Sequence, residues 1–237
     1  MKIDVFLTAE EAKRKAIHDS NIVVIDVLRA TSVMITAIAH GVSKIYPYES
    51  IEEVREASPA SSFSILCGER KGLDIDGFDY GNSPLEYQND TIQGAEMFMT
   101  TTNGTRALRN IHGKNNRIWI ASFLNLSSMS TFLAAEKKDC IVLCAGTENQ
   151  FSLDDALCAG MLIQKLQNYE KSDIALALEI LAKNSENIDE SLHTAKHYRY
   201  LKSIGLEKDL EYCCTPDQYS LLLEYDPNTN SIHSISS

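Results

Sequence analysis

Two runs constrain this chain more than any other feature. Ile22-Val-Val-Ile25 and Cys140-Ile-Val-Leu-Cys144 are apolar at every position rather than at alternate ones. A strand with one wet face alternates, whereas a continuous run of four or five apolar residues fits a strand buried on both faces. Double burial requires helices above and below a sheet whose strands are mostly parallel. Further strands are expected at 4–8, 22–27, 44–48, 64–68, 97–101, 117–121, 219–225 and 231–235. Helical patterns fall between them, at 10–18, 32–40, 51–57, 105–111, 124–136, 153–169, 173–183 and 190–204. Gly41, Gly113 and Gly205 stand where three of these helices should stop. The expected fold is therefore α/β, three layers (α/β/α) around a mixed, largely parallel sheet. Residues 69–93 break the rhythm and read as a long functional loop.

The chain has 237 residues, which suits a single α/β domain spanning 1–237 with a core that needs no covalent staples. A net charge of −11 disfavours nucleic acid and anionic membranes as partners. An anionic ligand would have to be held by a local group of cations or backbone N–H donors. The six cysteines form no C-x-x-C pair, and Cys140, Cys144 and Cys158 sit inside apolar runs as small hydrophobes. No signal-peptide pattern opens the sequence and no window is long enough to span a bilayer, so a reduced, cytoplasmic protein is expected.

The chemistry-bearing residues sit where strands end. In open α/β sheets, ligands bind beyond the carboxyl ends of strands, next to helix N-termini with free N–H groups. Asp26 follows the first run, and Arg29, Thr31 and Ser32 lead into a helix. An ion pair with a Thr/Ser helix cap would look the same. Thr101, Thr102, Asn103, Gly104, Thr105 and Arg106 repeat the design, with hydroxyls and a guanidinium suited to an oxyanion. Glu148, Asp154 and Asp155 follow the second run and, with Asp26, would make an oxygen-only set suited to Mg²⁺. Glu69, Arg70 and Lys71 end a fourth run, and Asn82 and Ser83 lie in a later turn. No Walker loop, Gly-x-Ser-x-Gly elbow or cysteine-phosphatase arrangement is present. His193 and His197 lie four apart on an expected helix without a zincin glutamate, which favours a solvated or packing role.

Val24-Ile-Asp-Val-Leu-Arg-Ala-Thr-Ser32, Gly68-Glu-Arg70, Gly81-Asn-Ser-Pro84, Thr101-Thr-Asn-Gly-Thr105 and Cys144-Ala-Gly146 with Asp154-Asp155 together resemble the 2-phosphosulfolactate phosphatase family. The resemblance reaches from the first strand to Thr215-Pro-Asp217. It implies a Mg²⁺-dependent hydrolase that converts (R)-2-phospho-3-sulfolactate to 3-sulfolactate and phosphate, a step towards coenzyme M. The implied partner is a small phospho-acid, and a homodimer stays open. On this reading Mg²⁺ is held by Asp26 with Asp154, Asp155 or Glu148. Arg29 and the 101–106 loop hold the phosphoryl group, and Arg70 and Lys71 hold the sulfonate or carboxylate. Glu69 or Asp155 takes a water proton. A covalent phosphate on Asp26, another phospho-acid substrate, and a non-catalytic anion sensor are the alternatives.

Overall fold

The computed structural model describes residues 1–59 and 63–235. Its strands are β1 Lys2–Phe6, β2 Ile17–His18, β3 Asn21–Ile25, β4 Lys44–Tyr48, β5 Ser64–Arg70, β6 Leu73–Asp74, β7 Glu96–Thr100, β8 Gly113–Lys114, β9 Arg117–Ala121, β10 Cys140–Cys144, β11 Glu170–Lys171, β12 Leu222–Asp226 and β13 Ser231–Ile235. Its helices are α1 Ala9–Arg14, α2 Ala30–Ala39, α3 Ile51–Ala57, α4 Gly104–Arg109, α5 Leu126–Glu136, α6 Leu153–Lys165, α7 Asp173–Lys183, α8 Ile188–Leu192, α9 Lys196–Ser203 and α10 Glu207–Cys213.

Eleven strands form one sheet in the order β11-β1-β10-β3-β9-β12-β13-β4-β7-β5-β6. It is two parallel blocks, β1-β10-β3-β9 and β4-β7-β5, joined through the antiparallel hairpin β12–β13. The hairpin pairs antiparallel to β9 on one side and to β4 on the other, so the two blocks run in opposite senses within the sheet. Twist offsets this reversal. Five steps separate β3 from β7, which at roughly 20–25° per strand rotates one against the other by roughly 100–125°. The carboxyl ends of both blocks can then face one place.

β3 is buried at all five positions, the polar Asn21 and the four of its unbroken apolar run, Ile22–Ile25. Val23 and Ile25 point into a core shared with Trp119, Val142 and helices α5, α6 and α7. Ile22 and Val24 point into a second core with Val33 and Met34 of α2, Ala107 and Leu108 of α4, and Ile45, Met97 and Met99 of the other block. These are the layers of an α/β/α fold. All six cysteines are buried free thiols, the apolar role expected of three of them. Among the described residues no helix is long and apolar enough to cross a membrane.

The differences from the sequence reading have local causes. The helix expected over 10–18 stops at Arg14, because Ile17–His18 pairs with Gly113–Lys114 nearly a hundred residues away. The helix expected over 153–169 ends at Lys165, and Glu170–Lys171 joins the sheet edge beside β1. The helix expected over 190–204 is two helices, α8 and α9, broken around His193–Ala195. Residues 69–93 are not structureless. They hold β6, paired to the end of β5, and two single 3₁₀ turns, Pro84–Tyr87 and Asp90–Ile92, that bury Tyr87 and Ile92. α10 had no counterpart in the sequence reading.

Candidate active site

The carboxyl ends of β3, β5, β7 and β10 meet at a cavity of about 350 Å³, at the lower end of the roughly 300–1,000 Å³ usual for small-molecule sites. Asp26, Leu28, Arg29 and Ala30 come from the end of β3, and Glu69, Lys71 and Gly72 from the end of β5. Thr101, Thr102 and Asn103 follow β7, Thr147 and Glu148 follow β10, and Asn82 comes from the strap between β6 and β7. Lys196, His197, Tyr200 and Leu201 of α9 complete the wall. Two glycines permit this closeness. A Cβ on Gly68, where φ is +143°, would lie 1.9 Å from the Thr100 carbonyl oxygen. A Cβ on Gly104 would lie 2.6 Å from Ala30 Cβ and 2.9 Å from Asp26 Oδ2.

Asp26 is a buried carboxyl on this wall. Burial, then the charges of Asp154 and Glu69, raise its pKa from 3.8 to about 7, against the Ala30 N–H and the Arg106 cation that favour the anion. Such a group exchanges protons near neutral pH. Asp155 is pushed well above the usual range by burial and by Asp154 and Asp26, although two backbone donors oppose the shift. Those donors are Val27 N (2.9 Å) and Gly146 N (3.0 Å), so Asp155 staples the loop after β3 to the loop after β10. Glu69 does the same between β7 and the β5–β6 turn, accepting from Thr102 N at 2.7 Å and Gly72 N at 2.6 Å.

The structure gathers part of the expected site at the wall and puts the rest behind it. Arg29 is buried in an ion pair with Asp209 of α10 (2.5 Å) and also donates to the Gly72 carbonyl (3.1 Å). Thr31 and Ser32 turn their hydroxyls inward to the Asp26 and Val27 carbonyls, both at 2.8 Å. Arg70 holds the Glu69 and Glu49 carbonyls and Thr100 Oγ1, away from the cavity. Ser83 donates to Asp209 at 2.7 Å. Thr101 and Thr105 bond each other across the first turn of α4. Arg106 donates to Asn103 Oδ1 at 3.2 Å and stands behind Asp26. Two side-chain oxygens of wall residues, Asn82 Oδ1 and Thr102 Oγ1, are buried without a hydrogen-bond partner in the protein. Orphaned buried oxygens of this kind mark places where a ligand, ion or water completes the bonding.

The four-carboxylate metal set read from sequence does not assemble. Asp154 accepts from the Ser152 hydroxyl, Asp155 is committed to backbone donors, and Glu148 reaches through solvent to Lys196 at 3.5 Å. Among the described residues no three His, Cys, Asp or Glu side chains are arranged to hold one ion.

Three site residues escaped the sequence reading: Asp209 lies on the unforeseen α10, and Lys196 and Tyr200 lie on α9. His197 was expected to be solvated or packed, and the structure packs it at the cavity wall. Its Nε2 lies 2.7 Å from the Leu28 carbonyl and its ring lines the cavity, whereas His193 is exposed and turns back to the Glu190 carbonyl. The four-residue spacing of the two histidines was the available signal, and only one of the pair faces inward.

Comparisons with known proteins find relatives over nearly the whole chain. Residues 6–228 match the family model described as 2-phosphosulpholactate phosphatase. The chain is similar to a probable 2-phosphosulfolactate phosphatase of Clostridium perfringens strain 13, with 42% identity over 232 residues, 95% of this chain and 94% of the relative. Its identity is 41% over 235 residues with the protein of that description from Caldicellulosiruptor saccharolyticus, and 38% over 230 residues with that from Clostridium acetobutylicum. Each of those two alignments covers 95% of this chain and 97% of the relative.

Proposed function

The chain belongs to the 2-phosphosulfolactate phosphatase family, and from that premise we propose that it hydrolyses (R)-2-phospho-3-sulfolactate to 3-sulfolactate and phosphate with Mg²⁺ bound, on the way to coenzyme M. Membership makes it an enzyme, a hydrolase of phosphoric monoesters. The observation that carries the finer reading is the cavity itself. It sets a buried, proton-exchanging Asp26 against Lys71, Lys196, His197 and the hydroxyl-bearing loop after β7.

The donors present fit Mg²⁺ as a sparse set, one carboxylate from Asp26 with the neutral oxygens Asn82 Oδ1 and Thr102 Oγ1, the remainder being water and substrate. When bound, the ion supplies charge neutralisation for phosphate oxygens and lowers the pKa of a coordinated water. Around it, the Thr101–Asn103 loop and Lys71 orient the phosphoryl group. Lys196, at the mouth, meets the substrate's other acids. Glu69, with each oxygen held by one backbone N–H, keeps lone pairs free to accept the proton of the attacking water. Arg29 keeps its guanidinium at the wall, with its charge largely offset by Asp209.

That offset favours a second reading. With fewer uncompensated cations, the same site would suit a phospho-acid that lacks the sulfonate. Phosphate release from phosphosulfolactate, phospholactate and phosphoglycerate, with and without chelator, separates the readings. Fastest turnover of phosphosulfolactate, lost on chelation and restored by Mg²⁺, is expected. Faster turnover of phosphoglycerate would move the substrate assignment, and indifference to chelator would remove the metal.

A further inference from the structure

We propose that His197 is the general acid that protonates the leaving alcohol oxygen, an inference that rests on the phosphatase reading above. A secondary alkoxide is a poor leaving group unless a proton reaches it as the P–O bond breaks. None of the roles already assigned supplies that proton: Asp26 is given to the metal, Glu69 accepts, and the Tyr200 hydroxyl is committed to the Lys71 carbonyl at 2.7 Å.

The geometry fixes which nitrogen acts. A carbonyl oxygen only accepts, so the 2.7 Å contact to Leu28 O requires the hydrogen on Nε2. The proton that comes and goes is then the one on Nδ1, which no described residue bonds. The ring is held in place from two sides, by the Leu28 carbonyl and by the near-parallel Tyr200 ring, 6.3 Å away with 22° between planes. His197 also lines a side cavity of about 180 Å³ with Gln150, Phe151 and Ser152.

The step balances. Water oxygen bonds to phosphorus and gives its proton to Glu69. The bond from phosphorus to the alcohol oxygen breaks, its electron pair stays on that oxygen, and the Nδ1 proton joins it. Solvent then exchanges the two protons back.

The test uses two esters of one carbon skeleton, 2-phospholactate and phosphoenolpyruvate. The first expels an alkoxide that needs a proton, and the second a far less basic enolate. His197→Gln is the diagnostic variant, since its amide N–H can replace Nε2–H on Leu28 but cannot donate from the Nδ1 position. Its kcat should fall by about 100-fold or more on phospholactate and by less than about fivefold on phosphoenolpyruvate. The ratio is read within one preparation, so a partial loss of folded enzyme cancels. His197→Asn serves where Gln does not fold. Equal losses on both esters, or no loss on either, overturn the acid role and leave the phosphatase reading intact. Failure of the unaltered enzyme to release phosphate from both esters and from phosphosulfolactate, with Mg²⁺ present, removes both.

Discussion

Replacing Asp26 with Asn should make the protein more stable and nearly inactive, and the stability gain should depend on pH. Burial and neighbouring carboxylates raise this carboxyl from 3.8 to about 7 in the folded chain. Below about pH 4 the folded and unfolded chains both hold the proton, and Asp26 contributes no difference. Between the two values the folded chain keeps the proton and the unfolded chain sheds it, so stability falls as pH rises. Above about pH 7 the whole penalty is present. The gap from 3.8 to about 7, at about 1.4 kcal/mol per tenfold, amounts to on the order of 4 kcal/mol. Asparagine keeps the shape and an oxygen for the Ala30 N–H but carries no charge, and its neutrality also eases Asp155. Urea unfolding with chelator present, at pH 5 and pH 8, should therefore show the variant ahead of wild type by a few kcal/mol at the higher pH and by much less at the lower. Phosphate release should drop about 100-fold or more. A variant no more stable than wild type at pH 8, or equally favoured at both values, would refute the claim that this carboxylate is held at a cost.

Other perturbations read other parts of the site. Asp209→Ala strands the buried Arg29 guanidinium and should cost roughly 3–5 kcal/mol, on the order of 6–20 °C in melting temperature. Adding Arg29→Met should recover most of that loss, and a drop under about 3 °C for the single variant would mean the cation finds another partner. Gly104→Ala places a methyl against Ala30 and Asp26 Oδ2, so thermal unfolding should show a loss of about 1–3 kcal/mol, with reduced turnover. Thr102→Val removes a buried hydroxyl that has no partner in the protein. Its melting temperature should hold or rise, while KM rises roughly fivefold for a lost bond of about 1 kcal/mol.

Strand identity was legible wherever burial left a local mark. Ile22–Ile25 and Cys140–Cys144 carry no polar residue because both faces of each strand pack on helices. The four strand ends were legible for a related reason, since carboxylates, guanidiniums and glycines crowd where apolar runs stop. What sequence could not show was pairing across distance. Arg29 could be read as a free clamp because Asp209 lies 180 residues away on a seven-residue helix that has no strong periodicity. Asp155 looked like a ligand because an acid in a first helical turn is ambiguous. Only the fold reveals that the N–H groups of Val27 and Gly146 claim it. The place of His197 at the cavity wall was not legible because it comes from α9 lining the cavity, after the break that separates α9 from α8.

The hairpin between the two parallel blocks also sets an order of events. β12 and β13 follow every other strand in sequence, yet they sit in the middle of the sheet, and the seam to β4 is registered at one pair, Ile232 with Ile45. During translation, domains tend to organise from the amino end as the chain emerges. Until residues 222–235 have left the ribosome, β9 and β4 each present a bare edge, and such edges recruit strands from other molecules. A stalled or truncated nascent chain would be adhesive as well as inactive.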